Sequence, residues 1–292
     1  MSLFRNDLMR VVAAGMLWGT GGLAGAVLGR LTELQPLAVA TYRLAGGGLT
    51  VLAVMALTSG VAPLTRAGLG RVLAVGGLTA SYQACYFAAV SLTSVGVATL
   101  VTLGAAPVLV LAVEAARARR RPGLVPSAAI GLAVLGLALL LGVPGGFDGG
   151  ALALGASLAL VSAAGFAALT LLGRRPVPGL DGPATIGFGF TAGAVMLGVI
   201  TVPGVGVGFA PTAASVGVLL FFAWVPTAVA YGLFFTGLRG VSATSAAVVA
   251  VLEPVTATVL GVLLLGERLG AAGAVGAGLL CAAAVVAALR AG

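Results

Sequence analysis

Ten apolar stretches follow one another along this 292-residue chain, and short segments between them hold nearly all the charge. A helix needs about 20 apolar residues to cover the hydrocarbon core of a bilayer, so the chain has room for ten spans and no sizeable soluble domain. Composition agrees, with 60% hydrophobic and 8% charged residues. Soluble domains carry about 25% charge. Punctuation by charge, proline and glycine predicts helices over 11–29, 37–58, 69–91, 95–115, 125–143, 150–172, 184–202, 213–236, 241–265 and 269–289. The segment Met1 to Arg10 is polar and basic and has no small-residue cleavage site after it, so the first stretch is expected to remain as a helix.

The charge balance of +8 comes entirely from arginine, because lysine and histidine are absent. Those arginines stand singly or in short clusters between apolar stretches rather than on a broad polar face, which argues against nucleic acid as a partner. With the N-terminus placed in the cytoplasm, Arg5, Arg10, Arg66, Arg71, Arg117, Arg119, Arg120, Arg121, Arg174, Arg175, Arg239 and Arg290 lie inside. Arg30 and Arg268 lie outside, and Arg43 falls within a span. This bias is the positive-inside signature of a multi-pass protein, with both termini cytoplasmic. A bacterial inner membrane is the expected location. Cys85 and Cys281 sit in apolar stretches with no metal or disulfide spacing and read as small apolar residues.

The two halves are related. Gly21, Ala24, Leu28, Gly29 and Arg30 match Gly165, Ala168, Leu172, Gly173 and Arg174 at one offset, and Phe87, Val101, Pro107 and Val108 match Phe234, Val248, Pro254 and Val255 at a similar one. Five helices per half is an odd number, so the second copy must enter the membrane inverted. The expectation is an all-α fold of two inverted five-helix repeats, 1–146 and 147–292, around a central cavity, an architecture of secondary transporters.

Pro107 and Pro254, at matching places in the fourth and ninth helices, should free the carbonyls of Leu103 and Ala250 for water, a side chain or substrate, or be ordinary kinks. Pro226 kinks the eighth helix as well. Glu253 is the one carboxylate at mid-depth, where an ionised group faces a cavity or a partner; it is either a proton site or a structural charge. Arg43 lies about 9 Å inside its helix, and snorkelling or a structural pairing is favoured over anion binding. Glu114 is expected to neutralise part of the Arg117 to Arg121 run.

Membrane Trp and Tyr normally gather at the interfaces. Here Trp18, Tyr82, Tyr86, Trp224 and Tyr231 all fall inside their spans. Tyr82 and Tyr86 share a face at i,i+4, and Trp224 and Tyr231 at i,i+7. A buried phenol or indole needs a polar partner that lipid cannot give. Facing a cavity with Gln83, Thr99, Thr102 and Thr20 would supply one and form an amphipathic pocket for a small-molecule substrate. Internal packing is the alternative. Gly15 and Gly19, then Gly21, Gly25 and Gly29, are spaced for close helix contact in the first span.

Leu252-Glu253-Pro254-Val255, followed by Leu265-Gly266-Glu267-Arg268-Leu269, resembles the signature closing the second repeat of EamA-type transporters, in the drug/metabolite transporter superfamily. Arg43 and Trp18-Gly19 also resemble that pattern, and within the family the chain is most similar to YddG-type exporters of aromatic and other amino acids. The resemblance implies a basket of ten helices with a cavity lined by helices one, three, four, six, eight and nine, and alternating-access efflux of amino acids or similar metabolites. Sugars, nucleosides or drugs are the other substrates found in the superfamily. The first repeat departs from the motif, with Ala106 in place of Glu253 and no Gly-Glu-Arg after Pro107.

An intramembrane enzyme would need catalytic groups that this sequence lacks. Without histidine or lysine there is no Ser–His or Ser–Lys pair and no histidine zinc site, and no second mid-depth carboxylate can join Glu253. No catalytic residue, metal or cofactor is expected. No span carries the repeated polar pattern of a selectivity filter. Coupling to protons through Glu253 and simple facilitated diffusion or exchange both remain open.

Overall fold

The computed structural model describes residues 2–58, 64–142, 148–175, 177–266 and 268–289. Glu267, Arg290, residue 143 and the repeat boundary at 146/147 lie outside the described residues, as does the side chain of Arg5. Among the described residues, ten helices are long and apolar enough to cross a membrane. They are α1 (Ser2–Thr32), α2 (Pro36–Thr58), α3 (Arg66–Leu92), α4 (Val95–Ala118), α5 (Leu124–Leu141), α6 (Gly149–Gly173) and α7 (Gly182–Gly204). Then come α8 (Ala213–Gly237) and α9 (Ala243–Leu264), both irregular within the span, and α10 (Ala271–Leu289). Short polar links supply helix starts: the Thr65, Ser94, Asp148, Asp181, Thr212 and Ser242 side chains each accept from a backbone N–H of the first turn.

The packing carries an internal two-fold relation. Helix α2 packs on α7 and α5 on α10, each against its own counterpart, while the α3–α6 pair is repeated by α8–α1 and the α4–α6 pair by α9–α1. Swapping the first five helices for the last five leaves this neighbour scheme unchanged, as two inverted repeats require. Glycine sets the closeness. A Cβ on Gly136 of α5 would lie 2.9 Å from the Gly276 carbonyl oxygen, and one on Gly276 would lie 2.5 Å from the Leu140 nitrogen. Gly48 on α2 meets Thr191 of α7 in the same way, at 2.6 Å. In lipid there is no water-driven force between helices, so such backbone contact is what dispersion attraction has to work with.

Outer faces are apolar. Leu57, Leu73, Val195, Val199, Val202, Leu263 and Val285 are among the many exposed aliphatic side chains, far beyond the patches of a water-soluble monomer. The two ends of the bundle differ. Arg71, Arg174, Arg175 and Arg239 line one recess at the starts of α3 and α7 and the ends of α6 and α8. Arg30 sits at the opposite end with Leu34 and Pro36.

Glu114 does not serve the Arg117 to Arg121 run. Its Oε1 pairs with Arg174 NH1 at 3.3 Å, and its Oε2 accepts from the Thr244 N–H and hydroxyl at 3.2 and 2.6 Å. The start of α9 presents N–H groups to a carboxylate on the neighbouring α4, and no arginine of the 117–121 run pairs with it among the described residues. This joins α4 of the first repeat to α9 of the second.

Gly276→Val should lower the thermal midpoint of detergent-solubilised protein, with an overpacking cost of about 1–3 kcal/mol. Gly278→Val, whose Cβ would meet nothing within 4 Å, should leave that midpoint in place. Equal behaviour of the two would show that the α5–α10 contact is not as close as described.

Candidate functional site

Two helices depart from regular geometry at mid-span, and both departures follow from proline. In α8 the segment Trp224–Val229 is a π-helix around Pro226. Proline has no N–H to give the carbonyl four residues back, so the Phe222 carbonyl needs another donor. The Thr227 hydroxyl donates to it at 2.8 Å, and Arg43 Nε of α2 donates in turn to that hydroxyl at 3.2 Å. Arg43 NH2 also donates to the Pro226 carbonyl at 3.3 Å, with its guanidinium 5.3 Å from the centre of the Phe222 ring. Arg43 therefore does not snorkel outward. It is a structural partner of α8 that also faces the cavity.

In α9 the helix runs Ala243–Val249, turns at Ala250 and Val251, and resumes over Leu252–Leu265. Pro254 lies three residues beyond that turn. The Ala250 carbonyl is not left for water or substrate, because the Glu253 N–H donates to it at 3.1 Å. What the break does is place Glu253 in the first turn of the second segment. A helix start favours negative charge. Pro107 has no such effect: it is buried inside α4, which continues from Val95 to Ala118. The two matching prolines thus act differently, and only the second interrupts its helix.

A cavity of about 530 Å³ extends from mid-span to the end of the bundle away from the arginine recess. Trp18, Tyr82, Gln83, Tyr86, Thr99 and Tyr231 line it together with Arg43 and Glu253. They come from α1, α2, α3, α4, α8 and α9, with Ser162 and Phe166 added by α6. The floor is aromatic. Tyr82 and Tyr231 share a hydrogen bond of 2.6 Å between their hydroxyls, across the two repeats. Trp18 lies 4.9 Å, centre to centre, from both Tyr231 and Phe234, and Phe166 stands edge-on to Trp18 at 6.0 Å. Tyr86 bonds Thr99 at 2.8 Å higher on the wall.

The wall holds polar groups without partners. Trp18 is 3% exposed and Gln83 4%, yet neither Trp18 Nε1 nor Gln83 Nε2 has a hydrogen-bond acceptor among the described residues. A buried donor left unmade costs about 1–3 kcal/mol. Glu253 and Arg43 line the same space without forming an ion pair. The cavity thus offers a cation edge and a carboxylate, with two unpartnered neutral donors buried in its wall.

Trp224 is absent from the cavity. It is 52% exposed on the outside of the bundle. The i,i+7 face it was expected to share with Tyr231 assumes α-helical turns throughout, but the π segment inserts one residue and turns the register by about 100°. Thr20 also lies off the cavity lining; its hydroxyl donates to the Leu17 carbonyl at 2.7 Å. Thr102 does line it, but its hydroxyl is spent on the Ala159 carbonyl at 3.2 Å. Sequence reasoning missed Ser162, Phe166 and Phe222. The i,i+4 spacing of Ser162 and Phe166 on a mostly apolar helix was the available signal.

A ten-helix membrane protein with a central half-open cavity, polar and aromatic within and apolar without, has the build of a carrier for small solutes. Comparison with known proteins makes this specific. The model of the EamA-like transporter family matches residues 8–142 and again 153–289, and the chain belongs to that family. The uncharacterized transporter YwfM of Bacillus subtilis is 29% identical over 262 residues, spanning 89% of this chain and 86% of that one. A crystal structure covering 97% of this chain and 98% of its own matches with a TM-score of 0.82 at 22% identity, which bears on the fold.

Thr227→Val removes the hydroxyl that serves both the Phe222 carbonyl and Arg43 Nε. It should destabilise the protein by about 1–3 kcal/mol, read as a lower thermal midpoint, whereas Thr20→Val should change it little.

Proposed function

We propose that this carrier exports amino acids, aromatic and other neutral ones, or closely related metabolites by alternating access of two repeats, 1–146 and 147–292. The observation that carries the reading is the set of unpartnered groups in and around an aromatic cavity: the free edge of Arg43 and the Glu253 carboxylate on its lining, with Trp18 Nε1 and Gln83 Nε2 buried in its wall. An α-amino acid zwitterion complements them. Its carboxylate accepts from the donors, its ammonium meets Glu253, and its side chain rests against Trp18, Phe166 and Tyr231. Charge-assisted contacts of this kind are about twice as strong as neutral ones, and more so away from water. The resemblance to YddG-type exporters supports the same substrate class.

The arginine distribution supports a cytoplasmic N- and C-terminus in a bacterial inner membrane. On that orientation the cavity faces outward, and the Tyr82–Tyr231 bond with the Glu114–Arg174–Thr244 cluster closes the cytoplasmic side. Inward opening must part these contacts. Glu253 can hold a proton or a substrate ammonium but not both, which gives a physical route to proton-coupled export. Facilitated exchange without protons is the simpler alternative.

Uptake of labelled Phe, Trp, Met and Thr, against a neutral sugar, into liposomes holding the purified protein tests the reading. Saturable amino-acid flux is expected, with Trp18→Ala raising KM by about tenfold or more and Trp224→Ala leaving it unchanged. Saturable sugar or nucleoside flux without amino-acid flux would overturn the substrate. Glu253→Gln should abolish pH-driven accumulation while equilibrium exchange persists at a raised KM. Unchanged accumulation would remove Glu253 as the proton site.

A further inference from the structure

A second recess, of about 340 Å³, lies at the arginine-rich end and is separate from the central cavity. Arg71, Arg174, Arg175 and Arg239 all line it, against a single carboxylate, Asp181. That carboxylate is engaged, since its Oδ1 accepts from the Ala184 N–H at 2.8 Å at the start of α7. Arg71 is half-buried, donates through NH1 to the Leu172 carbonyl, and has the Arg175 guanidinium close enough to repel its charge. Arg174 shares Glu114, but neither Arg175 nor Arg239 makes a side-chain hydrogen bond among the described residues. Topology asks only that positive charge stay on this side of the membrane. It does not ask that four arginines, from α3, from the α6–α7 link and from beyond α8, line one concave space, where like charges raise each other's energy.

We infer that this recess binds a phosphate group, held by the Arg71, Arg175 and Arg239 guanidinium groups. Guanidinium forks match phosphate oxygens in geometry, and an anion removes the mutual repulsion of the cluster. The phosphate comes either from an anionic phospholipid headgroup of the inner leaflet or from a soluble phosphate. Since the recess draws on helices of both repeats, an occupied site ties them together on the side where the central cavity is closed.

The test follows thermal unfolding of the detergent-solubilised protein while phosphatidylglycerol, and separately inorganic phosphate, is titrated at constant ionic strength against phosphatidylcholine and chloride. Phosphatidylglycerol should raise the midpoint saturably, and the Arg175→Gln/Arg239→Gln double variant should weaken the apparent affinity by about tenfold or more. The Arg117→Gln/Arg119→Gln double variant, which alters arginines outside the recess, should keep the wild-type affinity. Stabilisation by the lipid alone assigns a headgroup, and stabilisation by inorganic phosphate as well assigns a soluble phosphate. Failure of both ligands to stabilise, or equal loss in the two double variants, would overturn the site. Circular dichroism of each variant separates loss of binding from loss of fold.

Discussion

Lipid supplies no hydrogen-bond partner, so each backbone group released inside a span must be satisfied by the protein itself. In α8 and α9 proline disturbs the regular ladder, and the repairs determine where the site can be. Thr227 restores the Phe222 carbonyl and Arg43 donates to the Thr227 hydroxyl, which draws α2 against α8. The Ala250 carbonyl is restored locally by Glu253 N–H, which opens a new helix start within the membrane. Arg43 and Glu253, the mid-span charges on the cavity lining, are thus tied to the two repairs. A regular helix at either place would have no use for them at that depth.

Around this polar pair the aromatic side chains do two jobs. Tyr82, Tyr231, Trp18 and Phe234 fill the space toward the arginine-rich end, while Tyr86 and Phe166 leave room above. The floor is held between repeats by the Tyr82–Tyr231 hydroxyl bond, by the Ser162 hydroxyl donating to the Tyr82 carbonyl, and by ring contacts without fixed donors. Such contacts can be separated and remade at small cost in hydrogen bonding, unlike the glycine seams of α5–α10 and α2–α7, where backbone meets backbone. The sides are joined by close backbone contact and the floor by side chains.

Much of this was legible in the residues because the membrane imposes simple rules. Apolar length marked the ten spans, and the LEPV segment with Arg43 and Trp18-Gly19 marked the family. The mid-depth positions of Trp18, Tyr82, Tyr86 and Tyr231 marked the cavity, since interface residues do not lie there without reason. Trp224 failed the same test because face assignment assumes 3.6 residues per turn, and the π segment around Pro226 does not keep that count. Glu114 was read against its sequence neighbours, but its partners Arg174 and Thr244 are brought to it by tertiary packing. Matching prolines suggested matching roles, yet α4 stays continuous where α9 divides, so position in a repeat did not decide how the backbone would answer.

The first helix turns its glycines two ways. Gly15 and Gly19 press against the backbone of α9, while Gly22, with nothing within 4 Å of its missing Cβ, faces the open cavity. A side chain added at Gly19 strikes the chain, but one added at Gly22 meets only empty space. The volume open to a solute is therefore set partly by an absence, and single changes at that position can retune which solutes fit while every helix contact stays in place. The volume of the proposed site can change by small steps along one face of α1, with no need to rebuild the bundle.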